Sequence, residues 1–499
     1  MVVKWRRREP RLPEADYALR LAVMAAEAEV DEETADRLLY AASSAVLRAE
    51  RPEDVLPILA ALRPLGEKAP HRYVRLLTYA SAMAALDQET AQYVYDALRQ
   101  FKSRLLETGR NWSLVEAVVV YANLLKKYAI PADSWEDAVA DMCQLYAAIA
   151  APSRGSLAQR LLGAIAKAHV ITVALSSNAL EPLVQRHCGL GDLVREAEAV
   201  RDALDIQPGE LRKIEKDDAD FAELVAAWGA GAEKSLKALR AMLTAELARH
   251  KLFRAGEPED AAKEFEKAAE MYRGLEWGSY LAARSWAVKA RVLAAGSWDE
   301  LLERAEGFQK LCREAEPPEP AAVYLAPATY ALGDCLVYLA ASGDKKKAEK
   351  LLKERRQLLE YVPWVSVTAR LMLRLFGVGE GASREEVVGA SVPDADQELV
   401  ERLKSEIESK APEARPLLDR ADGKTLAEVL APGDFRAQLA LMLLAAVEGR
   451  ADAVRLHGLW GSVAYGEPLL RQLFRAVYEN CGDLNSEGCK MALLKLYYF

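Results

Sequence analysis

Asparagine, histidine and cysteine are scarce in this 499-residue chain, at five, five and six residues. So few histidines and cysteines leave little material for a metal site. No CxxC occurs, and no Cys/His set has zinc-finger spacing. Asparagine this rare, beside 66 Lys and Arg and 75 Asp and Glu, is the balance expected of a protein from a hot environment. Long apolar runs are missing too. The purest, Leu439 to Val447, falls far short of the ~20 residues a membrane helix needs. The basic start, Met1 to Arg11, leads into a stretch broken by Glu14, Asp16, Arg20 and Glu27, which is not the apolar core of a secretory signal. A cytoplasmic location is expected. Clustered positive charge is also lacking. The net charge of −9 argues against a broad nucleic-acid surface, which needs grouped Lys and Arg.

What the chain has is alanine and leucine. They supply most of an apolar content of 51%, and both are strong helix formers. Apolar spacing is helical almost throughout. Leu114, Val115, Val118, Val119, Ala122 and Leu125 recur at three and four residues, as one buried helix face requires. The alternation that marks strands is nearly absent. Short turns with Gly, Pro or Asp separate the helices, so neighbours should run antiparallel. Cys143, Cys188, Cys312 and Cys335 fall in helical patterns and read as free, small apolar residues. Cys481 and Cys489 flank the loop Gly482 to Gly488. They read as two ordinary thiols, with a local disulfide as the alternative.

Self-similarity carries the most information. In Gly256 to Tyr272 a turn glycine ends one helix and acidic residues open the next, where the helix dipole favours them. Ala261 and Ala268 then lie two turns apart on one face, with Phe265 between them. Small side chains there let a neighbouring helix approach. The phrase recurs at Gly296, leading through Leu301, Ala305 and Phe308, and at Gly343, leading through Ala348 and Leu352. Fainter versions start at Glu50 and Ser134. The three glycines stand 40 and 47 residues apart, so each unit is a helix, a turn and a helix.

Gly256 to Tyr272, with Ala248 and Leu252 before it, resembles a tetratricopeptide repeat, whose second helix carries a small, an aromatic and a small residue in this order. The likeness extends over about residues 236 to 360. It departs where Arg355 replaces a small residue, and where spacings exceed the usual 34 or so. The resemblance implies an all-α solenoid of antiparallel helical hairpins. Residues 1–205 would be an N-terminal helical-repeat region and 206–375 the tetratricopeptide-like repeats. A linker would span 376–396, where Gly, Ser and Pro rise. A C-terminal helical unit would fill 397–499, opened by the charged stretch Gln397 to Lys410. Within it, Gly433 to Gly461 loosely resembles the C-terminal helical regions of archaeal STAND-type ATPases, in which a helical array senses a ligand for a separate NTPase module.

Chemistry-bearing motifs are sparse. Gly229 to Ser235 contains Lys234-Ser235, but Glu233 stands where a phosphate-binding loop needs glycine, so it reads as a helix start. Gly377 to Gly381 lacks a following lysine and reads as a loop. His187-Cys188 has no second pair for a metal. His71, His169 and His250 lack triad spacing, although a fold could assemble one unseen. Lys4 to Arg8 reads as a solvated tail, and Lys345 to Arg356 as an outer helix face. Arg450 and His457 stand seven apart on one expected helix face. That pair resembles the Arg and His of HEPN-type ribonucleases, although Ala451 stands where that family has a polar residue. No cofactor, metal or catalytic set is expected. The expected function is a non-enzymatic interaction scaffold, or the sensor arm of a regulatory ATPase system. Its protein or peptide partner would bind the concave face, on Glu246, His250, Arg254 and Trp286. The alternative is a ribonuclease built on Arg450 and His457.

Overall fold

A computed structural model describes residues 20, 22–25, 30–47, 54–82, 88–127, 129–150, 155–177, 180–228, 231–320 and 322–380. It also describes isolated positions between 401 and 415, residue 476 and residues 479–498. Among the described residues the protein is entirely helical, with no strand. The helices are α1 (Glu32–Leu47), α2 (Val55–Lys68), α3 (Pro70–Ala82), α4 (Gln88–Thr108), α5 (Asn111–Lys126), α6 (Trp135–Ala150) and α7 (Leu157–Ser176). Then come α8 (Glu181–Cys188), α9 (Leu193–Ala203), α10 (Pro208–Asp217), α11 (Ala219–Trp228), α12 (Ala232–His250), α13 (Pro258–Tyr272) and α14 (Trp277–Ala294). The series ends with α15 (Trp298–Ala305), α16 (Gly307–Glu314), α17 (Ala322–Ala341), α18 (Lys345–Glu354), α19 (Arg356–Leu359), α20 (Pro363–Leu375) and α21 (Glu487–Tyr498).

Local chemistry sets many of these boundaries. Ser156 and Gln159 form a reciprocal capping box at the start of α7, and the Asp192 side chain caps α9. Gly256 and Gly343 adopt φ of +70° and +87°, a left-handed conformation that costs glycine little. In α13, Ala261, Phe265 and Ala268 are all buried, as the repeat reading expects. Two expected helices are broken instead. The run from Gly296 through Phe308 divides into α15 and α16 at Glu306. The run from Lys345 divides at Arg355, whose guanidinium turns inward to the Cys312 carbonyl oxygen at 3.5 Å.

Packing follows two patterns. Consecutive helices such as α12, α13 and α14 lie against each other. Alternate helices also touch in a row, α1 on α3, α3 on α5 and α5 on α7; helices further apart in the chain touch as well, α7 on α12, α14 on α17 and α17 on α20. Two large apolar cores result. The first runs from residue 22 to Leu247, and the second begins at Ala248. They meet inside α12, some forty residues beyond the boundary at 205/206 expected from spacing. The second core also takes in α21, from the stretch grouped as a C-terminal unit. Tyr498 stacks on Phe308 with ring centroids 4.5 Å apart, and Lys495 donates to the Leu293 carbonyl at 3.2 Å. α7 is apolar and long enough to cross a membrane, but two-thirds of its apolar window is buried. It serves as the centre of the first core.

The cysteine reading needs correction. All six are paired: Cys143 with Cys188, Cys312 with Cys335, and Cys481 with Cys489. Their Cα atoms lie 4.9, 5.6 and 4.6 Å apart, inside the range a disulfide spans. The first two pairs are 45 and 23 residues apart in sequence and come together only because α6 packs on α8 and α16 on α17.

Candidate functional site

α12 does not end as an α-helix. Its last turn widens into a π-helical turn, Lys251–Ala255, which Gly256 terminates. Such a turn carries one residue more than an α-turn and offsets the side chains that follow. Arg254 is thereby swung toward α7 and α8. It forms an ion pair with Glu181 and donates to the Ala174 carbonyl at 2.9 Å. Arg254 is therefore a strut between helices. Glu246 is 7% exposed and pairs with Lys126 of α5 at 3.0 Å and with Arg249 at 3.4 Å. Burial pushes its carboxyl up, but Lys126 and then Arg249 outweigh burial and hold it below its ordinary value.

Trp286 is half-buried, stacked on Phe265 and edge-on to Phe253. Arg249 and Lys289 lie 4.9 and 5.2 Å from its ring centre. Lys289 in turn pairs with buried Asp334 of α17 at 3.0 Å, and Ser285 donates to the same carboxylate oxygen at 2.7 Å. Lys126, Glu246, Arg249, Trp286, Lys289 and Asp334 thus form one continuous chain of charge and ring contacts. It runs from α5 in the first core to α17 in the second. Of the four residues singled out in the sequence, two belong to this chain, Arg254 braces α12, and His250 has a different setting.

His250 lines a cleft of about 360 Å³ between α9, α12 and α13. Its polar walls are Arg201, Arg240, Lys251, Lys267, Glu198 and Glu264, and Val194, Leu247 and Met271 supply apolar surface. Burial depresses the His250 imidazole below its ordinary value, against the opposing pull of Asp192 and Glu257. The π-helical turn contributes Lys251 to the cleft wall.

A second cluster was not foreseen. α3 presents His71, Arg72 and Arg75, each under a tenth exposed, to α1, α5 and α11. His71 Nε2 is 2.7 Å from Asp36 Oδ1, and Arg72 bonds both Asp36 oxygens and Glu223. Arg75 donates to Glu116 at 2.9 Å and to Glu223 at 2.7 Å. The Trp112 ring lies 5.2 Å from the Arg72 guanidinium and 4.5 Å from that of Arg75. Burial pushes Glu116 up to about 7, only partly offset by Arg75. Asp36 moves the other way: burial raises it, but hydrogen bonds from His71 and Arg72 hold it well below the usual carboxylate range. His71 Nδ1 is buried without a hydrogen-bond partner. Among the described residues the Asp36–His71 pair has no nucleophile at its free nitrogen, the third member a triad needs. The available signal was the motif His71-Arg72-Tyr73-Val74-Arg75, a basic group on a helix that is otherwise buried.

The remaining candidates sort simply. Gly231 precedes α12 and Lys234 points to solvent from its first turn, so the Lys-Ser string is a helix start. Among the described residues no group of three or more His, Cys, Asp or Glu is placed to hold a metal ion. Arg450 and His457, Leu439 to Val447, the stretch Gly433 to Gly461, and Lys4 to Arg8 lie outside the described residues, as does most of the expected linker. No protein family, curated protein or solved structure matches this chain.

Proposed function

We propose that this chain is a non-enzymatic interaction scaffold, a solenoid of tetratricopeptide-type hairpins that receives a partner protein in the cleft between α9, α12 and α13. The row of alternate helices α1, α3, α5 and α7 supports the solenoid reading, because stacked hairpins bring alternate helices into register. The observation that carries the function is the cleft itself. It is concave and mixed in character, and Lys251 of the π-helical turn lines it. Its charged groups form ion pairs rather than a nucleophile, base and orienter set. Three disulfides fit a protein that works hot, since hyperthermophiles use them even inside the cell. A role as the sensor arm of a separate NTPase belongs to the same reading.

The test is site-directed cross-linking in an extract of the source cells, with a benzophenone residue replacing Met271. Expected is a discrete adduct with one protein, lost when Lys251→Glu is added. Adducts that ignore Lys251→Glu count against the scaffold. RNA cleavage by the purified chain, abolished by His457→Ala, would put the ribonuclease reading in its place.

A further inference from the structure

The chemistry of the cleft walls points to the class of segment it takes, granted the scaffold reading. Four cations, Arg201, Arg240, Lys251 and Lys267, face two carboxylates, Glu198 and Glu264. Glu264 is shared, with Lys267 at 2.7 Å and Lys251 at 3.8 Å. Arg240 bonds Asp205 at 2.6 Å through one terminal nitrogen only, and its Nε is buried with no hydrogen-bond partner. Arg201 reaches Asp202 only at 3.9 Å. Asp205 and Asp202 are 59% and 79% exposed, so water screens both pairs and holds them weakly. The cleft wall therefore holds more cations than carboxylates, two of them weakly paired, in a chain whose net charge is −9.

The apolar part of the wall narrows the class further. Leu247 is buried, and Val194 and Met271 are half-buried beside the cations. A bare inorganic anion would leave that surface wet. A strand of nucleic acid would meet Glu198 and Glu264 with its phosphates. An extended peptide places carboxylates and aliphatic side chains next to each other, as this wall requires. We infer that the cleft binds an acidic peptide segment of a partner protein. Its carboxylates lie on Arg240 and Arg201, and an adjacent aliphatic side chain lies on Met271 and Leu247.

The experiment pans a random-peptide phage library on the full chain, then measures enriched peptides by fluorescence anisotropy against wild type, Arg240→Glu and Lys267→Glu. Expected is enrichment of Asp and Glu next to Leu, Ile or Val. Expected also is affinity roughly tenfold or more weaker for each variant, and a further fall as salt is raised. Lys267 is 64% exposed, so its substitution leaves the fold intact if Arg240→Glu does not; thermal melts of both variants check this. Neutral or basic peptides that depend on Arg240 or Lys267 would overturn the acidic assignment and leave the scaffold standing. Enriched peptides that ignore both variants, or no enrichment at all, would overturn the cleft as a docking site and the scaffold reading with it.

Discussion

Replacing Glu116 by glutamine should stabilise the protein at neutral and alkaline pH and leave it almost unchanged below pH 4.5. Glu116 is 3% exposed, bonded to Arg75 through Oε1, with Oε2 buried and unpartnered. Burial raises its carboxyl from 4.5 to about 7. A carboxyl raised on folding binds its proton more tightly in the folded state. Its stabilising effect is complete below pH 4.5 and is lost as pH rises through 7. At 1.36 kcal/mol per unit, the ionised form at pH 8 costs about 3 kcal/mol relative to the protonated one. Glutamine stays neutral, keeps the acceptor for Arg75 and avoids that cost. His169 titrates over much of the same range in the opposite sense, since burial and then Lys126 depress it to about 3. The wild-type profile alone therefore mixes the two. The difference between wild type and Glu116→Gln isolates Glu116. Urea unfolding of both proteins, at half-unit steps from pH 4.5 to 8.5, gives that difference directly. It should be smallest at pH 4.5, grow in favour of the glutamine variant up to pH 7 and level off above it. A flat difference, or one favouring wild type at pH 8, would show that Glu116 is solvated or that Arg75 alone sets its charge.

Three further outcomes follow from the structure. Reduction with a strong thiol should destabilise the protein in steps, since the loops of 45, 23 and 8 residues correspond to ~4, ~3.5 and ~2.5 kcal/mol in the chain-entropy picture. Melting with and without reductant, and with Cys143→Ser, checks the order; an unchanged melting temperature would refute the pairing. Arg254→Ala should cost about 2 kcal/mol and speed amide exchange at the end of α12, because it frees Glu181 and the Ala174 carbonyl. Exchange that stays protected there would deny Arg254 its bracing role. The charge-reversal variant at Lys267, 64% exposed, should weaken peptide binding without lowering the melting temperature.

Helices were legible because their causes are local. Ala261, Phe265 and Ala268 repeat at helical spacing, and Gly256 and Gly343 mark stops that only a left-handed residue makes cheaply. Where the causes were not local, spacing misled. Arg355 and Glu306 break runs that look continuous, and Arg355 does so while turned toward a carbonyl 43 residues away. Glu246, Arg254 and Trp286 read as surface anchors because they are charged or aromatic at concave positions. Glu246 and Arg254 instead meet Lys126 and Glu181, contributed by helices far earlier in the chain. Only His250 of the four lines the cleft.

Composition and period by themselves determined that this chain is helical, and that its chemistry-bearing residues are too few and too scattered for a recognisable metal or nucleotide motif. Those properties depend on residues within a few turns of one another. Tertiary structure alone decided which charges are struts and which remain available. It paired Asp36 with His71 and Glu116 with Arg75, brought six cysteines into three disulfides, and drew α21 into a core begun at residue 248. Burial strengthens such long-range pairs by removing water. Sequence spacing carries no record of which distant helix supplies the partner.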